Sequence, residues 1–155
     1  TNFSIVDNGY LRINQSADVG GDTVTKTIAA KLGISEEEAE QRKYKFGLTQ
    51  DGNDSGLATA SKLVVKDIID RGTNLRRIFE RKSNKTVTKT VLIGGGANLK
   101  GLAEYWGEVS GLSTEVGNPW KGIKTPVVLA NKLAVMGPSF AVAVGLALRE
   151  FELSE

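Results

Sequence analysis

Two kinds of residue in this chain have types and spacings that could do chemistry: glycine clusters at strand exits, and one acidic–basic pair. The stretch "VLIGGGANLKGL" (residues 91–102) runs from apolar, β-branched residues into three consecutive glycines, Gly94, Gly95 and Gly96. Glycine loses more conformational freedom on ordering than any other residue, so such a run needs a reason. A strand that stops at glycines and feeds a helix sets bare backbone amides where a phosphate or a flat ring can approach. Tight packing of a helix on its own strand also calls for glycine, so the run alone leaves both readings open. "VGGDTVTK" (19–26) places a second pair, Gly20 and Gly21, at another strand exit. In "AEQRKYKFG" (39–47), Glu40 and Lys43 are three apart and share one helical face. A carboxylate and an ammonium there could bracket ribose hydroxyls, or form a surface ion pair worth less than about 1 kcal/mol.

Composition removes much other chemistry. The 155 residues contain no cysteine and no histidine, which excludes disulfides, thiol nucleophiles, histidine bases and zinc sites, and no metal site is expected. A hydrophobic fraction of 40% with 25% charged residues sits in the globular range for one domain with a real core. Net charge is +2, too balanced for a dedicated nucleic-acid binder. Basic residues thicken in "RGTNLRRIFERKSNK" (71–85), either as the solvated face and end of a helix or as a phosphate or membrane patch. No apolar run approaches the roughly 18 to 20 residues of a membrane span, so no transmembrane segment is expected, and "AVAVGLALREF" reads as a buried helix. The chain opens on Thr1 without a signal-peptide pattern, which suggests a piece of something larger.

The elements that must position these residues follow from patterning. "NFSIVDNGYLRI" is a hairpin turning at Asn8-Gly9, with its second strand running from Tyr10 to about Ser16. A helix follows, capped by Asp22 or Thr23, with Ile28, Ala29 and Leu32 inward and Gly33 at its end. Ser35 opens the next through the capping box "SEEE", in which Glu38 can reach back to the cap amide; that helix stops at Gly47. "TQDGNDSG" reads as a polar loop. A long helix spans about Leu57 to Arg81, with Leu63, Ile68, Ile69, Leu75 and Ile78 inward and Gly72 as a candidate bend. "KTVTKTVLI" is a central strand, Leu99 to Val109 a helix, and "LSTEV" a short parallel strand. After an irregular stretch from Asn118-Pro119, "GPSFAVAVGLALRE" closes the chain as a helix with Pro138 in its first turn. The order is α/β.

Taken in sequence, these segments resemble the second half of the actin-like ATPase superfamily. "VLIGGGANLKGL" is similar to its adenosine motif, which places Gly94, Gly95, Gly96, Asn98 and Gly101 beside the nucleotide; where the family often has proline before the last glycine, Lys100 stands here. "AEQRKYKFG" resembles the Glu-x-x-Lys helix that contacts ribose and adenine, mapping those roles onto Glu40 and Lys43. "VGGDTVTK" resembles the turn near the sugar and phosphates, bringing in Gly20 and Gly21. Within the superfamily the chain is most similar to the PilM family of type IV pilus assembly proteins, with the FtsA family of cell-division proteins next.

The resemblance implies a ribonuclease H-like α/β fold, a mixed sheet with flanking helices. Residues 1–21 and about 86–155 would form the sheet subdomain, and about 22–85 a helical insertion. It implies ATP as ligand, with Mg2+ expected only with the other half, and as partner the cytoplasmic tail of a membrane-anchored PilN-like protein. It implies a cytoplasmic location peripheral to the inner membrane. An FtsA-like protein and the C-terminal half of a sugar or acyl kinase are the alternatives; the "FELSE" end lacks the amphipathic membrane helix usual in FtsA. In the family a strand and an Asp-x-Gly phosphate loop precede the position of Thr1. The expectation is therefore half of a nucleotide clamp, inactive alone and binding ATP weakly. The hairpin strand and "KTVLI", which flank the absent strand, are expected to pair directly or to borrow a strand by swapping or dimerising.

Overall fold

The computed structural model describes residues 1–49 and 55–152. Strands β1 (Asn2–Asp7) and β2 (Tyr10–Ser16) form the expected antiparallel hairpin. Asn8 and Gly9 turn it at φ 51° and 79°, the left-handed pair that a two-residue turn requires.

Helix α1 (Gly21–Leu32) begins earlier than Asp22 or Thr23 would allow as caps, because Gly20 is the N-cap. Thr23 lies inside the first turn, and its hydroxyl accepts the Gly20 amide at 3.3 Å. Helix α2 (Glu36–Phe46) starts at Ser35, whose hydroxyl accepts the Glu38 amide at 3.2 Å. The Glu38 side chain does not reach back; it pairs with Arg42 at 2.5 Å. Of the loop read in "TQDGNDSG", residues 50–54 lie outside the described residues.

Helix α3 (Ser55–Ser83) is the backbone of the core. Its buried stripe runs through Leu57, Ala60, Ser61, Val64, Val65, Ile68, Ile69, Leu75 and Phe79, the three- and four-residue steps of one helical face. Leu63 and Ile78, expected inward, fall off that stripe and are 59% and 39% exposed. The helix runs unbroken through Gly72, which lies on the stripe. A Cβ there would come within 3.2 Å of the Phe3 ring of β1 and 3.6 Å of Trp106, so close packing accounts for this glycine.

Strand β3 (Lys89–Leu92) is followed by a 3-10 turn over Gly95–Asn98, helix α4 (Leu102–Ser110) and strand β4 (Ser113–Val116). β4 lies parallel to β3, Lys89 opposite Ser113, as expected. Helix α4 starts later than Leu99, because the backbone first makes the 3-10 turn and then a left-handed step at Gly101 (φ 76°). The fold is α/β with flanking helices, and both strand directions are present. Among the described residues they occur as two separate two-stranded sheets, β1–β2 and β3–β4. The expected direct pairing of β1 with β3 is not made, and Val6, Val91 and Ile93 stay exposed. One core joins Val19, Val24 and Ile28 to Ala39, Leu48, Leu57, Ile69, Leu92, Ala97 and Leu102.

The last helix corrects two expectations. Helix α5 (Ala130–Glu152) begins well before Gly137, so Pro138 lies inside it and not in its first turn. Val127–Arg149 is, by length and composition, long and apolar enough to cross a membrane, at mean hydropathy 1.7. Reading the helix from Gly137 concealed this. Nor is it a buried helix: Val135, Val142 and Leu146 are each more than 60% exposed. Proline removes an amide and crowds the carbonyl one turn back. Here that is the Ala134 carbonyl, while the Trp120 indole donates to its neighbour, the Leu133 carbonyl, at 2.7 Å.

Candidate functional site

The glycine run sits at the exit of β3, where Gly94 has φ 89° and needs to be glycine. Its amide donates to the Pro138 carbonyl of α5 at 2.7 Å. Gly95 and Gly96 are different. Neither has positive φ. Among the described residues, the nearest atom to a Cβ at Gly95 is the Ser139 hydroxyl at 3.7 Å, and nothing lies within 4 Å of one at Gly96. Neither the conformation nor the packing of this chain requires glycine at these two positions, and both are exposed. Conformation and packing are equally undemanding at the second pair. Gly20 is extended (φ −176°), and Cβ atoms at Gly20 and Gly21 would meet only ordinary contacts, at 3.8 Å from Thr1 and 3.6 Å from the Lys43 ammonium.

Asn98 ends the 3-10 turn with its carboxamide nitrogen donating to the Val135 carbonyl at 3.1 Å. It ties the glycine turn to α5 as Gly94 does. A Cβ at Gly101 would come within 3.3 Å of the Thr49 methyl, just past the end of α2.

Glu40 and Lys43 form the expected ion pair, at 2.7 Å. It is not a surface pair, because Lys43 is buried at 7% exposure while the Glu40 side chain is 38% exposed. The Lys43 ammonium also donates to the Gly21 carbonyl at 3.2 Å and to the Thr25 hydroxyl at 2.8 Å. Thr25, buried on α1, also hydrogen-bonds Glu40 through its hydroxyl. Partial burial pushes the Glu40 carboxyl up, but hydrogen bonds from Lys43, Thr25 and Tyr44, with the Lys43 charge, outweigh it and hold the group below its ordinary value of 4.5.

A third contact joins these two halves of the site. The Lys100 carbonyl accepts the Leu48 amide at 2.8 Å, and the Lys100 ammonium donates to the Lys45 carbonyl at 2.7 Å. Gly47 permits this approach: a Cβ there would lie 2.4 Å from the Lys100 carbonyl oxygen. The glycine turn is thus tied through Lys100 to the end of α2, and α2 through Lys43 to the start of α1. Motif reading misses Thr25, and it marks Lys100 only as a departure from the family's proline. The signal for Thr25 was its place beside Val24, one turn before Ile28 and Ala29, on the buried stripe of α1. Among the described residues no cluster of acidic side chains could hold a metal ion.

This geometry can be set beside known proteins. A PilM–PilN type IV pilus biogenesis complex contains a chain that superposes with TM-score 0.75 at 26% identity, over 90% of this chain and 39% of that one. The ethanolamine utilization protein EutJ from Carboxydothermus hydrogenoformans superposes with TM-score 0.65 at 17% identity, over 94% of this chain and 43% of that one. The fold is that of the actin-like ATPases, and the chain spans about two fifths of the length of these structures. The model of the type IV pilus assembly protein PilM family matches residues 1–151. The chain belongs to the PilM family of type IV pilus assembly proteins.

Proposed function

We propose that this chain is the adenosine-gripping half of an actin-like ATP-binding scaffold for type IV pilus assembly. Four glycines carry the reading. Gly20, Gly21, Gly95 and Gly96 open two strand exits where neither φ nor any protein atom excludes a side chain. Space kept clear of side chains at both strand exits suits a flat base and a sugar bearing phosphates. Glu40 supplies an exposed acceptor for sugar hydroxyls, while Gly94 and Asn98 hold the turn against α5. Gly95 and Gly96 open a 3-10 turn, so bare backbone surface is what they offer and a helix dipole is not invoked.

With its ammonium protons given to Gly21, Thr25 and Glu40, Lys43 has no donor left for a phosphate. Mg2+ would arrive with the nucleotide, since the described residues of this chain supply no cluster for it. Residues 1–21 and about 86–155 act as the sheet subdomain, with 22–85 as the helical one. The partner is a PilN-like protein, by likeness to the PilM–PilN complex. This puts the protein on the cytoplasmic face of the inner membrane, held there by that partner. The apolar face of α5 is then a protein-packing surface, consistent with its hydrogen bonds to Gly94 and Asn98.

Calorimetric titration of the full-length protein with ATP and Mg2+, compared with Gly95→Val and Gly96→Val, tests the proposal. Binding by the wild type that both variants lose without unfolding is the expected result. Equal binding by all three overturns it.

A further inference from the structure

We infer that Thr25 positions Glu40 for the sugar of the nucleotide, and that Lys43 is the buried support of that arrangement, not a nucleotide ligand. The inference rests on the ribose reading of Glu40. An ammonium has three protons to give. Those of Lys43 have three acceptors at bonding distance: the Gly21 carbonyl at 3.2 Å, the Thr25 hydroxyl at 2.8 Å and Glu40 Oε2 at 2.7 Å. The ammonium is therefore saturated, and the residue is 7% exposed.

Thr25, 6% exposed, has one hydroxyl proton and two acceptors for it, the Gly21 carbonyl at 3.0 Å and Glu40 Oε2. Lys43 already donates to the Gly21 carbonyl, so the threonine proton can go to Glu40 without leaving that carbonyl unpaired. Lys43 and Thr25 then both act on Oε2, and Oε1 receives neither bond. Two donors on one oxygen fix the carboxylate in rotation, and Oε1, which takes neither of them, accepts from a ligand beside the Tyr44 hydroxyl, itself a hydrogen-bond partner of the carboxylate. A carboxylate so fixed recognises a hydroxyl at a set position. The site should accordingly prefer ribonucleotides to deoxyribonucleotides, since a sugar lacking the hydroxyl leaves the acceptor unpaired.

The test measures affinity for ATP, 2′-deoxy-ATP and 3′-deoxy-ATP in the full-length protein. The variants are Glu40→Gln, Thr25→Val, Thr25→Ser and Lys43→Met, each with its melting temperature. Wild type should prefer ATP over at least one deoxy analogue by about tenfold, the equivalent of one charged hydrogen bond. Thr25→Val and Lys43→Met should lower ATP affinity but barely change that for the disfavoured analogue, so the preference collapses. Thr25→Ser, which keeps the hydroxyl, should restore it. A merely structural role would weaken all three nucleotides alike and leave the ratios intact. That result, with a wild type that discriminates and a Glu40→Gln that does not, overturns this inference alone; if Thr25→Val fails to fold, Lys43→Met decides between the same two outcomes. A wild type that binds ATP without preference, with Glu40→Gln unchanged, overturns the ribose reading and this inference with it.

Discussion

Lys100 holds Leu48 through its backbone, carbonyl to amide at 2.8 Å, and so fastens the segment after the glycine turn to the end of α2. The family pattern often has proline at this position. Proline keeps a carbonyl and could make the same bond, but it has no ammonium for the Lys45 carbonyl, which Lys100 reaches at 2.7 Å. Glycine at position 47 is what lets the two segments meet.

Gly47→Ala should therefore be among the more damaging small substitutions. Its Cβ would meet the Lys100 carbonyl oxygen at 2.4 Å, and its φ of 61° disfavours a side chain. Loss of about 1 to 3 kcal/mol is expected from strain of this kind, measurable by urea unfolding. An unchanged midpoint would mean that α2 and the glycine turn are not coupled here.

Gly95→Val should separate folding from binding. The nearest protein atom to its Cβ is 3.7 Å away and the φ is not positive, so no strain at that turn is expected to enter. Stability should change by no more than about 0.5 kcal/mol, as for exposed positions generally, while ATP binding is abolished. Thermal melting with and without ATP reads both. A ligand-dependent rise in melting temperature as large as wild type would contradict the account.

Glu40→Ala should weaken ATP binding by about 1 to 3 kcal/mol, the range for hydrogen bonds to a charged group. With both partners exposed, stability would barely have moved. Because Lys43 and Thr25 are buried and lose an acceptor, the variant should also melt lower than wild type. Retained stability would return the pair to a simple surface contact.

The same group sets an acid dependence. Burial raises the Glu40 carboxyl, but Lys43, Thr25 and Tyr44 together hold it below 4.5. Its folded value is thus lower than its unfolded one. The stability it supplies is fully present above 4.5 and is lost as pH falls through the lower folded value. The stability difference between wild type and Glu40→Gln should be constant at neutral pH and shrink only below 4.5. A difference that grew on acidification would reverse the sign of the coupling.

What the sequence made legible is what local chemistry decides. Asn8-Gly9 announced the hairpin turn and Ser35 the start of α2, because each acts on backbone within a few residues. The parallel partnership of β3 and β4 followed from the strand–helix–strand order. Lys43 was not legible as buried: α2 is "EEEAEQRKYKF", polar nearly all round, and burial there depends on α1 lying against it. The start of α5 is hidden because proline usually marks a first turn, whereas here it lies inside the helix, which begins at Ala130. Leu63 and Ile78 are apolar but lie off the stripe of α3 that is buried, and apolar character alone does not say which stripe that is. The glycine motifs were legible as motifs. Which of their glycines the chain's own packing leaves unexplained depends on tertiary contacts that no local pattern carries.

The most direct measurement is a nitrogen-15 amide titration of the protein with ATP and Mg2+, followed residue by residue. The account predicts that the largest shifts fall together on Gly20, Gly21, Gly94, Gly95 and Gly96, with smaller ones along α2 around Glu40. Shifts confined to the basic end of α3, or none at the glycines while binding is observed, would contradict it.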